Sequence, residues 1–213
     1  MEVNGITCAF LAYTTLTNGL RPPNGKAYYV NVYDPETARA DVEKAKANAD
    51  VVIVSMHWGD EYVFAPTKEQ TEIAEHLAEL GVHIIVGHHP HVVQPVTMVG
   101  DTLVIYSLGN FLSAQKELFK LVGLLVSLDV VKTETPEGVK ISLENVTGTL
   151  LYNPRHSPLG RYVVVPFDMM TEAILKDFDK VHSRFSAYVK KDDTIAIEPP
   201  ADAHEQECVD CGS

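Results

Sequence analysis

Apolar segments typical of strands alternate with amphipathic helical segments through the first 86 residues of the chain. A first helix is predicted to begin at Asp34-Pro35-Glu36, because a capping Asp followed by proline and an acid favours a helix start. A second helix is predicted from Pro66 to Leu80, with one apolar face and a stop at Gly81. Three apolar runs are predicted to be buried strands: Ile6 to Tyr13, Val51 to Met56 and Val82 to Val86. This order predicts βαβ units and a sheet buried on both faces.

After the third strand the pattern changes to short strands separated by turns, which predicts an antiparallel, hairpin-rich second part. The predicted strands are Val96–Met98, Thr102–Tyr106, Val122–Val131, Val139–Leu151 and Tyr162–Val165. A last helix is predicted from Met169 to Tyr188. We therefore expect one α/β domain over residues 1–190 and an acidic, flexible tail over residues 191–213. The tail carries Cys208 and Cys211, whose spacing alone is a weak signal for zinc or redox chemistry.

The charge of the chain excludes some partners. Its 213 residues include 29 Asp and Glu but 17 Lys and Arg, which gives a net charge of −12 with histidine neutral. Such a chain repels nucleic acid, and its densest basic run is only Lys190-Lys191. An acidic polymer would also be repelled, so binding one requires a metal ion or a local cationic site. No apolar stretch approaches the ~20 residues of a membrane span, and Met1 to Tyr13 lacks the pattern of a secretory signal.

Histidines follow two neighbouring predicted strands. His57 comes after the strand that ends at Met56, and the next strand is followed by His88, His89 and His91. Ligands of open α/β sheets bind at the carboxyl ends of strands, and neutral imidazole is a strong ligand for zinc, manganese or iron. The two loops therefore predict a metal or catalytic site at one edge of the sheet. The remaining histidines have no partner at ligand spacing: His76, His83, His156, His182 and His204.

Three separated motifs in a fixed order give a specific resemblance to a known family. They are His57-Trp58-Gly59-Asp60-Glu61-Tyr62, then Ile85-Val86-Gly87-His88-His89-Pro90-His91-Val92-Val93-Gln94, and finally Tyr106-Ser107-Leu108-Gly109-Asn110-Phe111. Between the first two stand Pro66, Gln70 and Gly81. In these residues the chain resembles the CapA family of poly-γ-glutamate capsule synthesis, over roughly residues 3 to 130. The resemblance implies a calcineurin-like metallophosphoesterase fold, a sandwich of two mixed sheets flanked by helices.

The resemblance also implies a pair of divalent metal ions (manganese, zinc or iron) at the sheet edge. His57 matches the lone histidine ligand of that superfamily, and His91 matches the last ligand of its terminal motif. Either His88 or His89 supplies another ligand, and the His-x-His spacing favours His89. The Asp and Asn-His motifs that complete the superfamily site have no match before Val51. Because a bridging carboxylate holds two such ions together, we expect an N-terminally truncated family member with little or no hydrolytic activity, and metal held weakly or not at all.

Three further motif residues are candidates for supporting roles. Glu61 is either a proton-transfer group or a partner that orients His57, or else a solvated loop acid. Trp58 is either a wall of the site or a core residue, and core packing is favoured. Asn110 either hydrogen-bonds a loop or ligand or makes a turn, and the turn is favoured.

Two functions remain open on the sequence alone. The first is assembly or export of poly-γ-glutamate beside membrane partners, the role for which the family is named. The second is metal-dependent hydrolysis of a phosphorylated substrate, and the absent acids favour the first. The resemblance implies a location at the outer face of the cell envelope. We also expect a homo-oligomer, because strands of an incomplete sandwich leave an edge or an apolar face exposed.

Overall fold

The structure is a computed structural model, and it describes residues 1–20, 22–136, 138–154 and 162–201. Within these ranges the chain forms ten strands in two sheets, three α-helices and three short 3-10 turns. The α/β sandwich predicted from the sequence is confirmed. No helix in the described ranges is long and apolar enough to span a membrane.

The first sheet has six strands in the order β1-β2-β3-β4-β6-β5. Four of them run parallel to their neighbours at the centre, whereas the edge strands β1 and β5 pair in antiparallel fashion. Their bounds are β1 Glu2–Val3, β2 Ile6–Thr14, β3 Val51–His57, β4 Ile84–His88, β5 Val96–Val99 and β6 Thr102–Ile105. The parallel core β2-β3-β4 is the predicted βαβ arrangement.

Two helices cover one face of this sheet. Helix α1 (Pro35–Lys46) begins where Asp34 accepts a hydrogen bond from the backbone N–H of Thr37. Helix α2 (Lys68–Glu79) begins at a capping box, in which Thr67 and Gln70 each bond the other's backbone N–H. Alternate residues of the strands meet the helices in a first hydrophobic core, which includes Val52, Val54, Met56, Ile85 and Val104.

A second sheet covers the opposite face. It is built on a long hairpin, β7 (Val122–Thr135) and β8 (Gly138–Tyr152), joined by the short strands β9 (Val165–Pro166) and β10 (Ala196–Ile197). Helix α3 (Phe178–Val189) completes a second core between the sheets, which includes Leu103, Ile105, Leu124, Leu150 and Phe185. The first sheet is therefore buried on both faces.

The predicted strand Tyr162–Val165 is replaced by the shorter β9 (Val165–Pro166), and two further boundaries differ more from the sequence prediction. Helix α3 begins at Phe178 instead of Met169, because Phe167–Met169 form a 3-10 turn and Asp177 takes a left-handed backbone conformation. The segment after residue 191 packs on the domain as far as Ala201, whereas a free tail was predicted. Ile195 in this segment is buried, and β10 pairs with β8. Residues 202–213, with His204, Cys208 and Cys211, lie outside the described residues, as does His156.

Candidate metal-binding site

The histidines lie at the carboxyl edge of the parallel strands, where the sequence predicts them. Strand β3 ends at His57 and strand β4 at His88, and the two residues are register partners. On the other side of β3, Thr14 at the end of β2 is the register partner of His57. The loop after β4 then carries His89 and His91 over the strand ends. Three consecutive strands therefore bring their last residues to one edge.

A threonine hydroxyl fixes the tautomer of His57. The Oγ1 atom of Thr14 lies 3.0 Å from Nδ1 of His57 and 2.5 Å from the carbonyl oxygen of Leu16. A carbonyl can only accept, so the single hydroxyl hydrogen points to Leu16 and the imidazole Nδ1–H donates to Thr14. The Nε2 atom of neutral His57 is then left with its lone pair, which is the form that binds a metal ion.

Asn110 fixes the tautomer of His91 in the same sense. Its Nδ2 donates to the carbonyl oxygens of Lys120, at 2.9 Å, and of His91, at 3.3 Å. The amide is thereby oriented with Oδ1 towards the imidazole, 2.8 Å from Nδ1 of His91. Because Oδ1 can only accept, Nδ1 of His91 carries the hydrogen and Nε2 keeps its lone pair. Of the two roles that the sequence left open for Asn110, the structure shows hydrogen bonding to a loop, although a turn was favoured, since its side chain contacts His91 and Lys120.

The ring of His89 lies close to both of these imidazoles. Its centroid is 4.6 Å from that of His57 and 6.2 Å from that of His91. Burial lowers the pKa of His89, as does the charge that His57 would carry, while Glu61 and Asp60 act in the opposite direction. A lowered pKa keeps the ring neutral near pH 7, the state in which a nitrogen can coordinate metal.

The backbone of this loop is strained. His89 has φ +100° and His91 φ +57°, in a region that residues with a Cβ rarely adopt. Each such residue costs on the order of 1 kcal/mol and persists where the surrounding structure enforces it, often at functional sites. In this conformation the ring of His89 contacts those of His57 and His91.

His88 and His89 differ in their surroundings. His88 ends β4 with an exposed side chain, and partial desolvation followed by the charge of His57 lowers its pKa. Ring contacts with His57 and His91 are made by His89. This geometry favours His89, as the sequence spacing does.

The cluster provides donors without forming a complete metal shell. Within the described ranges, no three His, Cys, Asp or Glu side chains stand at the spacing of a metal site. Two imidazoles are nevertheless held with Nε2 available and a third is packed beside them. The donor chemistry therefore fits a divalent ion of the zinc or manganese type, and further ligands are needed to complete its coordination.

Trp58 and Glu61 take different roles from those of the histidines. The Trp58 side chain is fully buried, stacks on Tyr106 and donates its indole N–H to the backbone oxygen of that residue. It belongs to the core beneath the site, as favoured from the sequence. Glu61 is exposed, and Thr14, not Glu61, holds Nδ1 of His57. The structure therefore assigns the contact with Nδ1 of His57 to Thr14, and the charge of the Glu61 carboxylate acts to raise the pKa of His89.

A buried amide pair, which the sequence reasoning missed, supports the loop that follows β3. Gln70 at the start of α2 donates to the side-chain oxygen of Gln94, at 2.8 Å, and both residues are fully buried. The amide of Gln94 in turn donates to the backbone oxygens of Val63 and Ala65. Gln94 ends the second of the three motifs and Gln70 stands between the first two, and this placement was the available signal. They tie the helix to the loop that carries Tyr62.

A cavity borders the cluster on the side of β2. It has a volume of about 600 Å³ and an apolar lining that includes Leu16, Leu20, Pro23 and Tyr29, with His57 at its margin. A larger cavity of about 1010 Å³ lies at the opposite edge of the sheet, around Gly81 and His83. None of the clustered histidines lines the larger of these two cavities, so the histidine cluster and the larger cavity lie at different ends of the sheet.

The fold and the edge cluster define a class: an α/β sandwich with oriented imidazoles at the carboxyl ends of parallel strands. Residues 1–115 match the model of the family described as bacterial capsule synthesis protein PGA_cap. The chain belongs to this family. All four clustered histidines and Asn110 lie within the matched residues.

Curated relatives match part of the chain. It is 39% identical over 114 residues to the PGA biosynthesis protein CapA of Bacillus subtilis, covering 54% of this chain and 30% of that protein. It is 38% identical over 119 residues to the capsule biosynthesis protein CapA of Bacillus anthracis, covering 54% and 29%. A probable polyglutamine synthesis accessory protein of Mycobacterium tuberculosis is 30% identical over 71 residues, covering 33% and 19%. The chain thus spans less than a third of the length of these relatives.

Proposed function

We propose that this chain supplies histidine ligands to a divalent metal ion in a protein that assists poly-γ-glutamate capsule synthesis. The observation that carries the proposal is the pair of orienting hydrogen bonds, from His57 to Thr14 and from His91 to Asn110. A histidine that only packs in a core is not expected to have its ring oriented by a hydrogen bond at Nδ1 while Nε2 remains free at a sheet edge. Two such histidines at one edge, with His89 between them, favour coordination.

The capsule role is inferred from the family and from the names of the relatives, which refer to PGA and capsule biosynthesis. Poly-γ-glutamate is polyanionic, and this chain has a net charge of −12. Contact between the two requires a local positive charge. A bound divalent ion would supply that charge at the histidine edge and would polarise an anionic oxygen or a water molecule placed there. By analogy with the family, we place the protein at the outer face of the cell envelope, beside membrane partners of capsule synthesis.

His57, His89 and His91 would hold the ion, and Thr14 and Asn110 would keep two of these rings in the coordinating tautomer. Manganese, zinc and iron all accept imidazole, so the donor set does not select among them. The second candidate is metal-dependent hydrolysis of a phosphorylated substrate. It is favoured by the strained loop at His89 and His91, since such strain is common at active sites.

Metal titration tests the proposal directly. Zn²⁺ and Mn²⁺ are titrated into the protein by calorimetry, for the wild type and for His91→Ala and His57→Ala. We expect one class of site that weakens by at least about tenfold in each variant, the usual effect of removing a ligand or its partner. His76→Gln is the matched control, since His76 lies on α2 and bonds Tyr33. Equal binding by the wild type and His91→Ala would refute the assignment.

A further inference from the structure

We propose that Lys120 forms an anion-binding subsite beside the histidine cluster, which receives a carboxylate or phosphate oxygen of the ligand. This inference rests on the proposed function, because it assumes that an acidic ligand reaches the histidine edge. Lys120 lies just beyond residues 1–115, the part of the chain that matches the family. The subsite would therefore be supplied by the region that follows the matched residues.

A stack of side chains connects Lys120 to the cluster. Its Nζ atom lies 3.8 Å from the ring centroid of Tyr62, and the Tyr62 ring stacks on His91 with centroids 5.9 Å apart and an interplanar angle of 25°. The backbone gives a second connection, since Asn110 donates to the carbonyl oxygens of both His91 and Lys120. The ammonium group is thus one aromatic ring away from a proposed metal ligand.

Lys120 is held in place more firmly than a surface lysine. Only 13% of its side chain is exposed, although lysine is among the residue types that are least often buried. The ring beneath it is itself fixed, because Tyr62 has φ +67° and donates its backbone N–H to the carbonyl oxygen of Pro90, at 2.7 Å. A cation over an aromatic face is attracted by the ring quadrupole. The charge is therefore positioned before any ligand arrives, which lowers the entropic cost of binding.

Glu117 occupies the position that a ligand oxygen would take. Its carboxylate lies 3.2 Å from Nζ of Lys120, and 54% of its side chain is exposed. The pair uses one of the three ammonium hydrogens, and no other side-chain acceptor bonds this group within the described part of the chain. More than half of the Glu117 side chain is exposed, so its carboxylate can rotate into solvent and be hydrated there. Glu117 would then act as a competitor that an anionic ligand displaces.

A structural role for the Lys120–Glu117 pair predicts a different result. If the pair only stabilises the turn at Leu118–Lys120, removing either partner should weaken folding and ligand binding together. If Lys120 is an anion subsite, the two substitutions act in opposite directions. Loss of the lysine weakens anion binding, whereas loss of the glutamate strengthens it.

The experiment measures anion binding by calorimetry at low salt, with and without Zn²⁺. The probes are a γ-linked glutamate pentamer and inorganic phosphate, which separate a carboxylate from a phosphate ligand. We expect Lys120→Gln to weaken binding of the preferred probe by about tenfold, the effect of losing one charge-assisted hydrogen bond. We expect Glu117→Gln to strengthen it by about threefold, since the half-exposed Glu117 carboxylate no longer competes for the ammonium group. Lys116→Gln, at an exposed lysine four residues away, is the matched control and should bind as the wild type does.

Several outcomes would overturn the subsite. They are unchanged binding in Lys120→Gln, weaker binding in Glu117→Gln, an equal loss in Lys116→Gln, and no binding of either probe by the wild type. Urea unfolding of each variant checks that it is folded. If Lys120→Gln is unfolded, it is replaced by Lys120→Arg, which keeps the positive charge. Lys120→Arg should retain most of the anion binding. Metal titration of Lys120→Gln should match the wild type. If the wild type does not bind metal but the variants change anion binding as expected, the proposed metal site is refuted and the anion subsite is supported.

Discussion

Asn110 offers the sharpest test of how the site is organised, because one amide performs two separable tasks. Its Oδ1 accepts from Nδ1 of His91, and its Nδ2 donates to the carbonyl oxygens of His91 and Lys120. Asn110→Ala removes all three hydrogen bonds, at 2.8, 3.3 and 2.9 Å. At about 1 kcal/mol for each bond, the free energy of unfolding should fall by ~2–3 kcal/mol. For a urea dependence of ~2 kcal/mol per molar, the midpoint of unfolding should fall by about 1 M.

The same substitution should weaken metal binding. Without Asn110, the His91 ring can rotate and can place its hydrogen on Nε2, so the affinity for Zn²⁺ should drop by about 10- to 100-fold. Calorimetric titration of the folded protein, below the onset of unfolding, measures this loss separately from stability. Affinity equal to that of the wild type would refute the argument from the tautomer of His91.

Asn110→Asp is the matched control that separates the two tasks. The carboxylate still accepts from Nδ1 of His91 but can no longer donate to the two backbone oxygens. We therefore expect stability to fall about as much as in Asn110→Ala, while the affinity for Zn²⁺ is retained or rises. A parallel loss of stability and affinity in both variants would mean that Asn110 serves only to hold the loop.

Three further predictions concern packing, pH and activity. Gly87→Ala should lower the free energy of unfolding by more than ~3 kcal/mol or prevent folding. The reason is that a Cβ atom at this position would lie 1.9 Å from the backbone oxygen of Tyr106. A urea midpoint close to that of the wild type would contradict this prediction. Burial lowers the pKa of His182 below its ordinary value of ~6.5. The hydrogen bond between His182 and the carbonyl oxygen of Glu198 acts in the opposite direction but is the smaller effect. The unfolded chain then takes up the proton more readily than the folded protein. The contribution of neutral His182 to stability is therefore present above about pH 6.5 and is lost as the pH falls below that value. The decline in urea midpoint from pH 7.5 to 5.5 should be smaller in His182→Gln than in the wild type. The chain should hydrolyse p-nitrophenyl phosphate little or not at all with Mn²⁺ or Zn²⁺, and robust turnover abolished by His91→Ala would show this prediction to be wrong.

The features predictable from the sequence are those set by local periodicity. Strand-type runs and capped helices alternate over the first 86 residues, and the sheet β2-β3-β4 with its two helices follows from that pattern. The edge position of the histidines follows as well, because each histidine segment begins where a parallel strand ends. Contacts between distant residues were not predictable in this way. Thr14 lies 43 residues from His57 and Asn110 lies 19 residues from His91, so no local pattern joins them.

The C-terminal region shows why local patterns fail there. The apolar residues before Phe178 resemble a continuous helix, but the left-handed conformation of Asp177 delays its start. Ile195 stands in a polar, proline-containing segment that is typical of a tail, yet it is fully buried against the second sheet. Such docking depends on a groove formed by other parts of the chain, which one apolar residue does not indicate.

An exposed strand edge carries the last prediction, the homo-oligomer expected from the sequence. Strand β1 pairs with β2 only at Ile6 and Thr7, and Met1 bonds the backbone of Cys8. Between these bonds and those that Asn31 makes to Ala12 and Thr14, the N–H and C=O of Phe10 face outward without a partner in the described residues, and the Phe10 side chain is 60% exposed. Edges of this kind pair readily with another strand.

A two-fold axis near Phe10 would join β2 of two copies as antiparallel neighbours, because a strand edge is complementary to itself under such an axis. We therefore predict a dimer at micromolar concentration, measured by light scattering. Phe10→Lys should shift the protein towards the monomer, since charges on an edge strand oppose pairing. Met169→Lys is the control, because Met169 is similarly exposed, at 67%, but lies in the 3-10 turn before α3. A monomeric wild type, or a dimer indifferent to Phe10→Lys, would show that this edge does not carry the association.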